Sequence, residues 1–371
     1  MKKTLIGSGL AAAVLLAGCA TPPPANTAAP APSAGGASSA AAAPGASDFT
    51  ACMVSDAGGF DDKSFNQTSH DGLKKAVAEL GVKQNEAQSS TTADFATNID
   101  QMVNAGCNIV VTVGFLLGDA TLAAAQANPD VDFAIVDFAY SDESGANTAP
   151  ENLRGLVFNT GEPAFLAGFT AASLSQTGKV GTFGGAKIPS VTAFMEGYAQ
   201  GVAYHNEKKG TNVEVLGWNS ETQDGQFIPG SNGFEDLAGG KRVAETLVSQ
   251  GADVILPVAG PAGEGGLQVA QASGGKVIGM WVDTDGTVSM PNYKSVIATS
   301  VGKAMDVAVF EAIKASKEGT FNNEVYVGTL ENEGAYLAPF HDFDSKVSAE
   351  TKAELEQIKA DIIAGTITID A

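Results

Sequence analysis

Short continuous runs of Val, Ile and Leu recur through this chain, and most are separated by a helical pattern. The runs fall at 50–54, 107–113, 133–136, 156–158, 180–183, 213–216, 254–258, 277–282, 296–300 and 325–330. Helical periodicity covers 98–105, 120–127, 163–175, 193–205 and 242–249. Unbroken apolar strands alternating with helices indicate parallel sheets covered on both faces, an α/β fold. So many strands would strain one doubly wound sheet, so two sheets are the more economical arrangement. The second series opens at Lys179-Val180-Gly181-Thr182-Phe183-Gly184-Gly185, a strand followed by paired glycines. It repeats a design met first at residues 50–59. Two similar lobes with a cleft between the carboxyl ends of their strands are therefore expected, and open α/β sheets bind ligands at that edge.

The first strand runs into Ser55-Asp56-Ala57-Gly58-Gly59-Phe60-Asp61-Asp62-Lys63-Ser64-Phe65-Asn66-Gln67. Gly58 and Gly59 supply the turn, because positive φ costs glycine little, and Asp62 can cap the helix that follows. Leu73, Ala76, Val77 and Leu80 form the buried stripe of that helix. Phe65 either continues the stripe as core or faces a ligand. Asp56, Phe65 and Asn66 together offer an acceptor, a stacking face and an amide, a set suited to a polar ring compound.

Other strand ends carry Gly114-Phe115, Asp137, Asn159, Gly184-Gly185, Trp218, Gly260 and Asp283-Thr284-Asp285, while Lys303 follows the run ending at Ser300. Any one such Asp or Gly is explained by turn preference alone. As a set they fit multidentate binding of hydroxyl and amine groups. Catalytic templates do not fit: there is no G-x-S-x-G elbow, and the glycines of 260–266 lack the Lys-Ser/Thr ending of a phosphate loop. His70, His205 and His341 have no metal-ligand spacing. Asp61-Asp62 and Asp283/Asp285 can in principle bind a metal or do acid/base work, but capping and ligand hydrogen bonding explain them more cheaply. No metal, cofactor or catalytic residue is expected.

The formal charge of −21 argues against a nucleic-acid partner, since no Lys/Arg cluster offsets it. Lys2 and Lys3 precede an apolar run from Leu5 to Leu16, too short for a permanent span, so residues 1–19 read as a signal peptide. Its end, Leu16-Ala17-Gly18-Cys19, looks like a bacterial lipobox in which Cys19 is lipidated. The expected product is tethered to the outer face of the cell membrane. Residues 20–47 are almost all Pro, Ala, Gly and Ser, which reads as a disordered linker. Cys52 and Cys107 both begin strands in an exported chain; they are either a disulfide or buried free thiols.

These residues resemble the basic membrane protein family of lipoprotein substrate-binding proteins for ABC transporters, which is similar to purine nucleoside receptors. The resemblance is carried by 55–67, Val113-Gly114-Phe115-Leu116-Leu117, Phe133-Ala134-Ile135-Val136-Asp137, Phe165-Leu166-Ala167-Gly168, Gly178-Lys179-Val180-Gly181 with Gly184-Gly185, Gly251-Ala252-Asp253-Val254-Ile255 and Thr299-Ser300-Val301-Gly302-Lys303. It implies a type I periplasmic-binding-protein fold, two lobes joined by a three-segment hinge. The N-terminal lobe would be 48–157 plus 301–330 and the C-terminal lobe 158–300 plus 331–371. It further implies a monomer that delivers a nucleoside to ABC permease subunits. Asp56, Asn66 and Asp137 would face the base, with Phe65 and Phe234 stacking on it. Asp283 or Asp285 would take the ribose with Lys303, and Gly260 would approach by its backbone.

Two departures bear on the site. The segment 204–234 is long and polar, so Phe227 or Trp218 can replace Phe234, and Trp281 precedes the acid pair where a smaller residue is common. A sugar or other small polar metabolite in the same architecture is the first alternative; an exported hydrolase and an adhesin are weaker ones.

Overall fold

The computed structural model describes residues 48–231 and 233–369. The signal segment, Cys19 and the linker lie outside the described residues.

In chain order the elements are β1 (Thr50–Ser55), α1 (Phe65–Leu80), β2 (Lys83–Gln88), α2 (Phe95–Asn104), β3 (Ile109–Val113), α3 (Gly118–Ala127), β4 (Asp132–Val136) and β5 (Leu153–Phe158). Next come α4 (Gly161–Leu174), β6 (Lys179–Gly184), α5 (Pro189–Lys209), β7 (Glu214–Leu216), β8 (Trp218–Asn219), β9 (Asp224–Gly225), α6 (Leu237–Ser249) and β10 (Val254–Val258). The chain continues through α7 (Glu264–Ala272), β11 (Ile278–Asp283), α8 (Gly286–Ser289), β12 (Ile297–Lys303), α9 (Met305–Glu318), β13 (Tyr326–Gly328), β14 (Ala335–Leu337) and α10 (Ala349–Ile363).

Two six-stranded sheets result, in the orders β13-β5-β4-β3-β1-β2 and β14-β12-β11-β10-β6-β7. All pairings within them are parallel except that of β12 with β14. The chain crosses between sheets after β5, after β12 and after β13. These are two parallel-sheet α/β lobes.

Both faces of each sheet are buried, which is why its strands read as unbroken apolar runs rather than alternating ones. Successive side chains of a strand still point to opposite faces. Ala51 and Met53 pack with Leu73 of α1 and Val309 of α9, while Cys52 and Val54 pack with Ile99 of α2 and Leu117. In the second sheet Val254, Leu256 and Val258 share a core with α4 and α5, and Ile255 faces Leu247 of α6 and Ala270 of α7. The pair α4 and α5 approaches backbone to backbone. A Cβ on Gly201 would lie 1.9 Å from the Phe165 carbonyl, and one on Gly168 2.0 Å from that of Tyr198, so both positions require glycine.

Three features depart from the expectations. The edge strand β2 has the sequence KQNEAQ and is largely exposed, so no apolar run marks it. The small antiparallel pair β8–β9 occupies the long polar segment. The residues Val301–Lys303, expected with the first lobe, pair with β11 and β14 in the second sheet. Their apolar run continues as strand to Lys303 before the chain crosses. Cys52 and Cys107 form a disulfide, with Cα atoms 5.9 Å apart.

Candidate functional site

Asp56 leaves the carboxyl end of β1 while its amide still donates to the Val113 carbonyl. The chain then turns through Gly58 and Gly59 at φ 108° and 67°. Asp62 accepts from the amides of Ser64, Asn66 and Gln67 at 2.9, 2.8 and 3.0 Å, so it stops the turn and starts α1. With the helix start fixed, Asn66 Nδ2 reaches back to Asp56 Oδ1 at 2.9 Å. Its Oδ1 is buried with no partner among the described residues. Asp56 lies so close to the next strand end that a Cβ on Gly114 would sit 2.2 Å from its Oδ2.

Asp137 ends β4 and Asp283 ends β11, both in the left-handed region at φ 65° and 70°. The left-handed bend is uncommon for a residue with a Cβ, though Asp tolerates it better than most. Both carboxylates meet Lys303 at the end of β12: its Nζ lies 2.7 Å from Asp137 Oδ2 and 3.1 Å from Asp283 Oδ1. The ammonium also sits over the Phe65 ring at 4.6 Å and the Phe194 ring at 5.4 Å. Phe65 therefore faces this cluster at the first turn of α1 and is half-buried, while it also packs on the first lobe's core.

These groups line a cavity between the two sheets' carboxyl edges, where about 590 Å³ of space, open solvent included, is free of protein atoms. Asp56, Phe65, Asn66, Asp137, Phe234, Gly260, Asp283 and Lys303 all line it. Asp285 does not. Its carboxylate accepts from the Thr287 amide at 2.9 Å, capping α8, and meets His341 Nε2 at 2.7 Å. Two residues further along the chain, past a left-handed Asp283, the second acid is turned away from the cleft.

Phe234 rests on Gly185, where a Cβ would lie 2.5 Å from its ring, and the Phe234 carbonyl accepts from the Ala262 amide at 2.9 Å. Phe227 instead covers Gly184, and Trp218 is buried with Nε1 donating to Glu196 Oε2 at 2.6 Å. Neither lines the cavity. Trp281 is fully buried beneath Gly286 and does not line it either. Residues that the strand-end pattern passed over also line the cavity: Phe194, Ile188 and Val191 from the start of α5, and Leu116. Phe194 read only as part of a helical stripe, and nothing in its spacing separates it from core.

Four carboxyl groups and one ammonium share this space, and for Asp56, Asp62, Asp137 and Lys303 loss of water is the largest influence on titration. Burial pushes Asp56 up to about 8, against the lowering contact of Asn66 and with Asp62, Asp137 and Asp283 adding to the rise. Asp56 is only partly exposed and lines the cavity, and among the described residues it forms no ion pair. Burial also raises Asp62 despite its three amide donors. Asp137 rises for the same reason, against the pull of Lys303. Burial opposes the charge on Lys303, but its two carboxylates outweigh that and raise its pKa. The cavity thus combines aromatic faces for a planar ring with carboxyl and amide acceptors for ligand N–H and O–H groups. Among the described residues no group of three or more His, Cys, Asp or Glu is placed to hold a metal ion. Nor is any described helix long and apolar enough to cross a membrane.

Comparison with known proteins agrees with this architecture. Residues 49–371 match the family model of PnrA-like ABC transporter substrate-binding proteins. The "ABC transporter nucleoside-binding protein BmpA" of Lactococcus lactis subsp. cremoris is 30% identical over 341 residues, covering 87% of this chain and 89% of that protein. "Basic membrane protein A" of Borreliella burgdorferi is 30% identical over 315 residues, 84% of this chain and 85% of its own. Among solved structures, an ABC transporter solute-binding protein from Aeropyrum pernix K1 superposes with a TM-score of 0.75 at 26% identity, covering 86% of this chain and 92% of that one. A solute-binding protein from Agrobacterium vitis, solved with α-D-tagatopyranose, shares the fold at a TM-score of 0.60 and 15% identity, over 83% of this chain and 99% of that one. The two lobes therefore have the type I periplasmic-binding-protein fold, and the chain belongs to the Bmp family of PnrA-like ABC transporter substrate-binding proteins.

Proposed function

We propose that this chain captures a purine nucleoside in the cavity between its lobes and delivers it to an ABC permease, without chemical change to the ligand. The observation that carries this reading is the convergence of Phe65, Phe194 and Phe234 with Asp137, Asp283 and Lys303 in one cavity. A sugar site needs carboxylates and amides; several aromatic faces beside them suit a ligand that has both a base and a sugar. The nucleoside-binding name of the Lactococcus relative points the same way.

In this reading Asp56, Asn66 and Asp137 take the base edge, and Phe65 and Phe234 stack on its faces. Asp283 accepts the ribose hydroxyls beside Lys303, with Gly260 close by its backbone. A carboxylate that accepts two vicinal hydroxyls favours ligands that have them, because a ligand without them leaves the remaining lone pairs of a buried acceptor unsatisfied. The lobes, 48–158 plus 304–330 and 159–303 plus 331–371, close on the ligand through their three connections. The protein works as a monomer on the outer face of the cell membrane, anchored by lipid on Cys19.

Mass spectrometry of ligand retained after gentle purification, followed by calorimetric titration with inosine, guanosine, adenosine, cytidine and ribose, tests this. Purine nucleosides are expected to bind most tightly. Tight binding of a free sugar with no response to any nucleoside would overturn it.

A further inference from the structure

Ser64 stands immediately before α1, where a serine ordinarily gives its hydroxyl to helix capping. Here Asp62 has already taken the amides of Ser64, Asn66 and Gln67, and the Ser64 side chain makes no cap. It is fully buried, and its Oγ donates to Asp283 Oδ2 at 2.7 Å. The two residues are 219 positions apart. Ser64 belongs to the first lobe and Asp283 to the end of a strand of the second sheet.

The other oxygen of Asp283 faces Lys303 at 3.1 Å. A carboxylate gripped at both oxygens has its plane fixed, and the lone pairs left over point in set directions. Without Ser64 the Lys303 contact alone would leave the group free to rotate about χ2, a broad torsion for Asp. The hydrogen bond also joins groups from the two lobes, so it forms only when they are together.

We infer that Ser64 is a positioning residue: by spanning the lobes to Asp283 it fixes the carboxylate for ligand hydroxyls and ties that orientation to lobe closure. This rests on the reading of Asp283 as a ligand group. A hydrogen bond that served only the fold would act on stability and leave the ligand's response to Asp283 unchanged.

The test is a double-mutant cycle in the full chain with Ser64→Ala, Asp283→Ala and the pair, read by inosine affinity and dissociation rate. Ser64→Ala is expected to weaken binding about tenfold, mostly through faster dissociation, as for loss of a hydrogen bond to a charged group. In the Asp283→Ala background the same change should cost less than about twofold, because the partner is already gone. Ser64→Cys, nearly isosteric with a weaker donor, should fall between and guards against a misfolded alanine variant. Wild-type affinity and rate in Ser64→Ala, or the same tenfold loss in both backgrounds, would overturn the inference. If the wild type binds no nucleoside, the functional reading fails by itself. Small-angle scattering without ligand then decides Ser64: a larger radius of gyration in Ser64→Ala supports the lobe contact, and an unchanged one removes it.

Discussion

Asp137 and Asp283 end equivalent strands of the two sheets, both at φ near 65–70°, and both hold the single ammonium of Lys303. β4 and β11 each occupy the third position in their sheet order. The two lobes thus repeat one device, a strand that ends on a left-handed aspartate, and Lys303 bridges both copies at the lobe junction. The pairing places opposite charge where two buried acids would otherwise repel.

Removing the ammonium should be costly. In Lys303→Met both carboxylates stay buried without their cation, and breaking a buried pair from one side typically costs about 3 to 5 kcal/mol. Chemical denaturation at pH 7 measures this. Part of the loss should return on acidification, as Asp137 takes up a proton more readily once the lysine is absent. A stability within about 0.5 kcal/mol of wild type, the usual range for exposed sites, would show that water reaches the cluster freely.

Asp56 makes a second, separable prediction about pH. Its folded-state pKa, about 8, lies above the unfolded value of 3.8. Between those values the folded chain holds a proton that the unfolded chain has released, so this group's contribution to stability falls as pH rises from about 4 to about 8 and is level above that. Asp56→Asn removes the titration. The difference in unfolding free energy between variant and wild type should therefore move in the variant's favour across that window, by up to about 1.4 kcal/mol per pH unit. Denaturation curves from pH 5 to 9 give the slope, and a pH-independent difference would mean that Asp56 is ionised throughout.

The disulfide should matter to stability and not to the site. Cys52–Cys107 closes a sequence separation of 55 residues, and neither cysteine lines the cavity. Chain-entropy arguments give roughly 4 kcal/mol for a loop of that length. The Cys52→Ala/Cys107→Ala pair should melt well below wild type yet keep ligand affinity close to it. A large affinity loss in a folded variant would reveal coupling between the disulfide and the cavity.

Much of this architecture was legible because buried parallel strands have only one way to look: unbroken Val and Ile bounded by turns. The turn at Asp56–Asn66 was equally plain, since its glycines and its capping Asp62 each answer a backbone requirement. Edge strand β2 was not legible, because an exposed KQNEAQ segment pairs through its backbone and carries no side-chain signature. Within the site, acids and glycines at strand ends could be read from position, whereas Phe194 could not. It enters the cavity from the first turns of α5, and whether an aromatic on a helix faces core or cleft depends on where the other lobe lies. The choice between Asp283 and Asp285 was open for the same reason: a left-handed bend at Asp283 decides it, and no sequence rule specifies that bend.

That bend leads to the sharpest test of the site. Asp283 lines the cavity and holds Ser64 and Lys303, while Asp285 caps α8 and meets His341. If Asp283 takes the ribose as proposed, Asp283→Ala should lose affinity for a ribonucleoside and much less for its 2′,3′-dideoxy analogue, which lacks those hydroxyls. A hydrogen bond to a charged group is worth about 1.5 to 3 kcal/mol, so the ribonucleoside should weaken by roughly tenfold to a hundredfold. Asp285→Ala should bind both ligands like wild type and pay only in stability, by about 1 kcal/mol for the lost cap. Calorimetric titration of both variants with both ligands separates these effects. If Asp283→Ala weakened the two ligands equally, the carboxylate would be acting on lobe closure or on the base, and the assignment of the ribose to it would fall.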